Sequence, residues 1–123
     1  MILVDTSVWI DHLRHHDDTL AALLNNSQVL MHPYISGELA CGNLTNRVEL
    51  LHLLAALPQI TTALDTEVHF FIEQRLLMGK GIGYIDTHLL AAVALDGTAN
   101  IWTRDKRLHQ VAESLSLSWN TQI

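Results

Sequence analysis

The chain has 123 residues, with a hydrophobic fraction of 49% and a charged fraction of 16%, which excludes a disordered protein and suits one domain with a substantial core. Its formal net charge of −6 excludes a protein held on nucleic acid by overall charge, because phosphate binding depends on lysine and arginine. The longest apolar run, residues 89–95, is too short to span a bilayer, and no basic segment precedes an apolar one at the N-terminus. Cys41 is the only cysteine, so we expect a cytoplasmic protein with a buried thiol.

The predicted elements alternate between strands and helices along the whole chain. The first half contains, in order, a strand at 2–4, a helix that carries Val8, Trp9 and Leu13, a helix at 19–24 capped by Asp17 or Asp18, a strand at 29–31, a helix at 33–41 and a helix at 48–57. The second half contains a short strand around 60, a helix at 65–78, a glycine loop at 79–83, a helix at 84–95, a strand at 100–103, a helix at 108–115 and a strand at 117–119. This alternation predicts a parallel sheet covered by helices on both faces, in one domain over 1–123.

Three aspartates lie where a strand or a loop meets a helix. Asp5 and Asp105 each follow an apolar strand and precede a helix, and Asp86 lies in the first turn after the glycine loop. Ligands bind at the carboxyl ends of parallel strands, so these carboxylates are placed to face a ligand. The alternative is helix capping, which favours aspartate at the same positions.

Glu38 has a different setting, because it lies in the middle of a predicted helix among apolar neighbours and can cap nothing. A lone acid at such a position would face solvent, and this is the alternative; we expect Glu38 to face inward, where its charge requires a cation or a proton. Carboxylates that converge at one end of a sheet repel each other unless a hard cation neutralises them, and oxygen ligands favour Mg²⁺ or Mn²⁺ over zinc. Such a metal activates water and holds a phosphate for in-line displacement, which is nuclease chemistry.

Basic side chains near these acids are candidates for contacts with a nucleic-acid backbone, and a solvated helix face is the alternative for each of them. The candidates are Arg75, Lys80, Arg104, Lys106 and Arg107. Other polar and aromatic residues are given simpler interpretations. His12 and His16 have a spacing seen in zinc sites, but no third ligand joins them, so we interpret them as surface histidines. The tryptophans lie in apolar stretches and are expected in the core.

Four blocks of sequence, taken together and in order, carry a resemblance to a known family. The blocks are Val4-Asp5-Thr6-Ser7-Val8-Trp9-Ile10, Ser36-Gly37-Glu38-Leu39, Gly83-Tyr84-Ile85-Asp86-Thr87-His88-Leu89-Leu90-Ala91-Ala92 and Ile101-Trp102-Thr103-Arg104-Asp105. They resemble the PIN-domain family and, within it, the VapC-like toxin ribonucleases. The resemblance implies a three-layer α/β/α fold with a central, mostly parallel sheet.

The resemblance also implies a function and a set of partners. The implied function is that of a Mg²⁺- or Mn²⁺-dependent endoribonuclease that cuts structured RNA such as tRNA or rRNA and thereby inhibits translation. The implied role is the toxin of a type II toxin–antitoxin system. The implied partners are a cognate antitoxin that covers the active site and a second copy of the chain in a homodimer. The implied site roles are direct metal ligands at Asp5 and Asp86, further acids that bind metal directly or through water at Glu38 and Asp105, and orienting hydroxyls at Thr6 and Thr103. Leu108 departs from the family pattern, where an aromatic residue is common nearby, and this concerns packing rather than chemistry.

Three alternative functions make different demands on the sequence. An aspartate-nucleophile phosphatase requires a second aspartate two residues after the first, where this chain has Ser7. A phospho-receiver domain requires paired acids at the end of the first strand and a separate acceptor aspartate after the third, and neither is present. A PIN-like module that binds RNA or a protein partner without cutting RNA is the remaining alternative.

Overall fold

A computed structural model describes residues 1–120 of the chain. Residues 121–123, which the sequence analysis includes in the single domain predicted over 1–123, lie outside the described residues. No helix among the described residues combines the length and the apolar character that are needed to cross a membrane.

A parallel sheet places the first strand of the chain at its centre. Its strands are β1 (Ile2–Val4), β2 (Val29–Leu30) and β3 (Asn100–Trp102). Across residues 1–120 they form a three-stranded sheet in the order β2-β1-β3, with both pairs parallel. The sheet therefore brings together the carboxyl ends of two strands that lie at opposite ends of the sequence.

Single bridges extend this sheet at both edges. Met31 pairs with Gln59, and Ile101 pairs with Ser118, in each case in parallel. Within the described residues, the strands predicted around residue 60 and at 117–119 are present only as these bridges, so both predictions were too long. At the first bridge the reason is Pro58, which has no N–H group to continue a ladder.

Helices pack around the sheet and confirm the predicted three-layer α/β/α fold. They are α1 (Thr6–His15), α2 (Asp18–Asn25), α3 (Pro33–Ala40), α4 (Arg47–Ala56), α5 (Asp65–Arg75), α6 (Tyr84–Asp96) and α7 (Lys106–Ser114). The prediction that the helix after Asp65 continues to Met78 was wrong, because Leu76 adopts a left-handed backbone with φ of 55° and ends α5. Asp17 caps α2 through a hydrogen bond that Leu20 N–H donates to its side chain.

The core lies on both faces of the central strand, as continuous apolar strands in a parallel sheet require. Leu3 and Val4 are fully buried, and Trp9 and Trp102 are buried as predicted. Cys41, in contrast, is exposed, so the prediction of a buried thiol was wrong. The buried face of α3 includes Leu39. A residue two positions later lies more than half a turn around the helix axis, which points Cys41 outward.

Candidate active site

Asp5 and Thr103 meet where β1 and β3 end side by side. The Asp5 N–H donates to the Trp102 carbonyl oxygen over 2.9 Å and continues the pairing of the two strands. The Thr103 hydroxyl then donates to Asp5 Oδ2 over 2.7 Å, and Asp5 is only 7% exposed. Asp5 occupies the N-cap position of α1, but its side chain makes no capping hydrogen bond with any described residue. The capping interpretation therefore does not account for this carboxylate.

Ser7 belongs to the same network, although the sequence analysis did not include it among the site residues. Its hydroxyl donates to Asp5 Oδ2 over 2.9 Å and accepts from the Arg104 backbone N–H over 3.0 Å. The available signal was the position of Ser7 in the first turn after Asp5. Its contact with Arg104 depends on the pairing of β1 with β3, which local sequence does not specify.

Asp105 combines a capping role with a position beside Asp5. Its Oδ1 accepts from the Leu108 N–H over 2.9 Å, so it caps α7, as the helix-capping alternative predicts. Its own backbone N–H donates to the Thr103 hydroxyl oxygen over 3.0 Å. Thr103 thus connects two of the four acids, accepting from the backbone of Asp105 and donating to the side chain of Asp5.

Glu38 reaches the site from α3, but it is exposed, so the expectation that it faces inward was wrong. The buried face of α3 is formed by Ile35 and Leu39, which leaves Glu38 on the flank of the helix. Its Oε1 accepts from the Thr6 hydroxyl over 2.8 Å, and this contact joins α3 to the first turn of α1. Because water reaches Glu38, its charge needs no buried counter-ion.

Asp86 is the acid on which the other three act electrostatically. It is half-buried in the first turn of α6, and burial raises its pKa above the usual value. The charge of Asp5 raises the pKa further, and Asp105 and Glu38 add smaller contributions in the same direction. A hydrogen bond from the Gly83 backbone opposes the shift. The other three carboxylates therefore lie close enough to destabilise the charged form of Asp86.

The donor set fits a hard divalent cation that keeps much of its water shell. Across residues 1–120, no group of three or more histidine, cysteine, aspartate or glutamate side chains is positioned to enclose a metal ion. Mg²⁺, however, usually contacts one or two carboxylates and retains several waters, so a closed cage is not its usual site. Oxygen-only donors and the repulsion at Asp86 favour such an ion. His12, one of the pair with zinc-like spacing, accepts a hydrogen bond from the Asp17 N–H through Nδ1.

The five basic candidates fall into different settings. Arg104 contacts Asp11 over 2.7 Å and Asp17 over 2.5 Å, and these two ion pairs connect the segment after β3 to the middle of α1 and to the N-cap of α2. Lys106 is exposed at the start of α7. The other three line one cleft of about 480 Å³ beside α7: Arg75, Lys80 and Arg107.

The left-handed backbone at Gly81 favours glycine, and the Arg107 side chain lies close against it. A Cβ at this position would lie 2.7 Å from Arg107 Cδ, and the backbone φ of 80° is itself strained for other residues. The glycine loop before Asp86 therefore lets the Arg107 side chain cross it at close range. This contact joins the loop to α7.

Comparisons with known proteins agree with this architecture. The PIN domain family matches residues 2–114. Two relatives, both called Ribonuclease VapC32, come from Mycobacterium tuberculosis strains CDC 1551 / Oshkosh and ATCC 25618 / H37Rv. Each is 48% identical over 108 residues, which cover 88% of this chain and 87% of the relative. The four acids all lie within the matched region.

Proposed function

We propose that this chain, which belongs to the PIN-domain family and is a VapC-like member of it, is an endoribonuclease. We further propose that it is the toxin of a type II toxin–antitoxin system. In finer detail, we propose that it depends on Mg²⁺ or Mn²⁺, cuts structured RNA such as tRNA or rRNA in the cytoplasm, and thereby inhibits translation. The observation that supports this proposal best is the convergence of the acids, because Thr103 joins Asp5 to Asp105 by hydrogen bonds and the charges of Asp5, Asp105 and Glu38 add to the effect of burial in raising the pKa of Asp86.

Asp5 and Asp86 would hold the cation directly, and Glu38 and Asp105 would act directly or through water. When bound, a divalent cation would lower the pKa of a coordinated water and stabilise charge on the phosphate. The chain's own hydroxyls orient the acids. Thr103 and Ser7 both donate to the same Asp5 oxygen, Oδ2, and so leave Oδ1 as the oxygen to face a ligand.

The second hydroxyl predicted for this site, Thr6, positions Glu38. Its hydrogen bond to Glu38 Oε1 fixes a flexible glutamate that is otherwise surrounded by water. An exposed, tethered carboxylate can exchange protons with solvent while it stays close to the other acids. This arrangement suits a residue that handles a proton during hydrolysis better than one that closes a metal cage.

RNA phosphates would be held by the cations beside α7. Arg75, Lys80 and Arg107 share one cleft, and Lys106 lies at the start of the same helix. Arg104 was a candidate as well, but its two acidic neighbours already compensate its charge. We therefore assign Arg104 to the framework of the site rather than to substrate binding.

An antitoxin and a second copy of the chain complete the proposal. A cleft of about 270 Å³ contains Ile10, Leu13 and Leu39 together with Glu38, so apolar surface continues to the acids. An antitoxin segment with apolar side chains and a basic group would cover both. The homodimer is proposed from the family resemblance.

Cleavage of RNA by the purified chain, freed of any antitoxin, tests the function. We expect cleavage of total tRNA or rRNA with Mg²⁺ or Mn²⁺ and none with EDTA. Asp5→Asn and Asp86→Asn should abolish cleavage while the protein remains folded by circular dichroism. Glu73→Gln, which changes an exposed acid of α5, is the matched control and should cleave normally. If the wild-type protein binds RNA but cuts none with either metal, the non-catalytic binding module is the correct function.

A further inference from the structure

Two partly exposed tyrosines flank one buried histidine near the acids. Tyr34 is 39% exposed and Tyr84 is 42% exposed, whereas His88 between them is 3% exposed. Both rings contact the imidazole edge-on, with centroid distances of 5.0 Å for Tyr34 and 4.8 Å for Tyr84. The shared histidine therefore sets the relative positions of the two tyrosines and leaves part of each ring open to solvent.

The orientation of Tyr84 is fixed by Asp65 at the start of α5. The Tyr84 hydroxyl donates to Asp65 Oδ1 over 2.7 Å, and the same oxygen lies 2.8 Å from His88 Nε2. The hydrogen bond to Asp65 raises the pKa of Tyr84 to about 12, so its hydroxyl remains a donor. A ring that is already held in place loses little conformational entropy when a ligand packs on it.

Tyr34 is held near the same point by the start of α3. Its backbone N–H donates to His32 Nδ1 over 3.0 Å, and its ring lies 5.1 Å from the ring of His32, which is fully buried. Neither tyrosine is an exposed side chain with free rotation, because each ring contacts a buried histidine.

Helix α3 places the Tyr34 ring beside a proposed catalytic group. Tyr34 precedes Glu38 by four residues on α3, so the two side chains lie on one helix face about 6 Å apart along the axis. Tyr84 lies two residues before Asp86 on α6, so these two side chains leave the helix on opposite sides, and Tyr84 is linked to Tyr34 by their shared contact with His88. A base attached to a phosphate near Glu38 is therefore within reach of the Tyr34 ring, and Tyr84 continues the aromatic surface across His88.

The overall charge of this protein gives little electrostatic attraction for RNA. The formal net charge is −6, and the four carboxylates of the site repel phosphate. Base stacking on an aromatic ring does not depend on net charge and contributes about tenfold or more in affinity for each base. We propose that Tyr34 and Tyr84 form a stacking surface that binds a base of the RNA next to the phosphate that is cut. This inference rests on the proposed ribonuclease function.

Binding of a short single-stranded oligoadenylate, with and without one abasic position, tests the stacking surface. The protein is the full chain carrying Asp86→Asn, so that RNA is not cut during titration, and a fluorescent adenine analogue reports stacking. Tyr34→Ala and Tyr84→Ala should each weaken binding of the complete oligonucleotide about tenfold. An abasic site at the position of the stacked base should weaken oligonucleotide binding by the parent protein by the same factor. It should not change oligonucleotide binding by the alanine variants.

Matched variants separate stacking from folding. Tyr34→Phe keeps the ring and should bind RNA like the parent protein, whereas Tyr84→Phe keeps the ring but loses the hydrogen bond to Asp65 and should weaken binding less than Tyr84→Ala does. Phe70→Ala removes an exposed aromatic ring of α5 that lines a different cleft, so it should also have no effect. In protein with Asp86 intact, Tyr34→Ala and Tyr84→Ala should raise KM for RNA cleavage and leave kcat nearly unchanged, whereas a general folding defect would lower kcat.

The possible failures are distinguishable. If the parent protein binds no RNA and the wild-type protein cuts none, the proposed function and this inference both fail. If the wild-type protein cuts RNA and the alanine variants bind the complete and abasic oligonucleotides like their parent, only the stacking surface is wrong. Variants that keep RNA binding but lose the antitoxin would instead assign the tyrosines to the protein partner and overturn the inference.

Discussion

The Thr103 hydroxyl donates a 2.7 Å hydrogen bond to Asp5 Oδ2 across a sequence separation of 98. It also accepts a 3.0 Å hydrogen bond from the Asp105 N–H. One small side chain thus fixes the carboxylate at the end of β1 and the backbone at the start of α7. The geometry of two of the four acids depends on this hydroxyl.

Thr103→Val should therefore reduce both activity and stability. Loss of a hydrogen bond to a buried charged group lowers stability by about 1–3 kcal/mol. Misorientation of Asp5 should lower kcat about tenfold or more. Urea unfolding and RNA cleavage by the purified variant measure the two effects. Thr103→Ser keeps the hydroxyl and should retain most of the stability and most of the activity. A Thr103→Val protein with normal kcat would exclude an orienting role for the hydroxyl.

Asp105 offers a way to separate capping from catalysis. Asparagine caps helices as well as aspartate does, so Asp105→Asn should keep the hydrogen bond from the Leu108 N–H and unfold near the wild-type temperature. Asp105→Ala should lose about 1 kcal/mol of stability. If the carboxylate takes part in metal binding, both variants should lose activity. A fully active Asp105→Asn protein would leave this residue with the capping role alone.

The raised pKa of Asp86 predicts how stability depends on pH. Because burial and then the charge of Asp5 raise this pKa, the folded protein binds the proton more tightly than the unfolded chain. Stability from this group is complete below the ordinary aspartate pKa of 3.8 and is lost as pH rises toward the raised folded value. Asp86→Asn removes this dependence on pH. In EDTA, the stability of this variant relative to wild type should therefore increase as pH rises from 3.8 to the raised pKa of the folded protein, and then stay constant.

Thermal unfolding at a series of pH values, with and without Mg²⁺, measures this effect. A cation bound at the acids stabilises the folded protein by mass action. At pH values above this interval, Mg²⁺ should therefore raise the melting temperature of the wild-type protein. It should have much less effect on Asp86→Asn. A difference between the two proteins that does not change with pH would show that Asp86 titrates normally.

The two arginines near Asp105 should differ in what they contribute. Arg107→Ala removes a cation from the cleft beside α7 and should weaken RNA binding, with a reduction of about 1 in the salt slope. Arg104→Ala breaks ion pairs with Asp11 and Asp17 and should lower stability by up to about 1 kcal/mol, since its side chain is 37% exposed. RNA titrations at several salt concentrations check both. An equal change in salt slope for both variants would contradict the assignment of Arg104 to the framework.

Local sequence predicts the alternation of strands and helices well in this protein. The short apolar run of β1 and the helical spacing of Val8 and Trp9 are both local signals, and both correspond to observed elements. Element ends are less predictable when they depend on backbone strain. Leu76 ends α5 in a left-handed conformation that favours glycine, so nothing in its residue type indicates the stop.

The site is predictable in its carboxylates and less so in their surroundings. Asp5, Asp86 and Asp105 stand at element ends, where the topology of a parallel sheet brings side chains together. The contacts of Ser7 and the ion pairs of Arg104 depend on which strands are neighbours, and that pairing is not a local property. The exposure of Glu38 depends on which face of α3 meets the core. The roles of these residues in metal binding and cleavage stay predictions.

The central position of β1 has a consequence for the timing of assembly during synthesis. This strand leaves the ribosome before β3, yet it pairs with β3, whose residues are made about a hundred positions later. Contacts between distant parts of a chain also form late in folding. A nascent chain that stops before β3 lacks Thr103 and Asp105, so a ribosome that is still translating this message holds a polypeptide whose acids are not yet gathered.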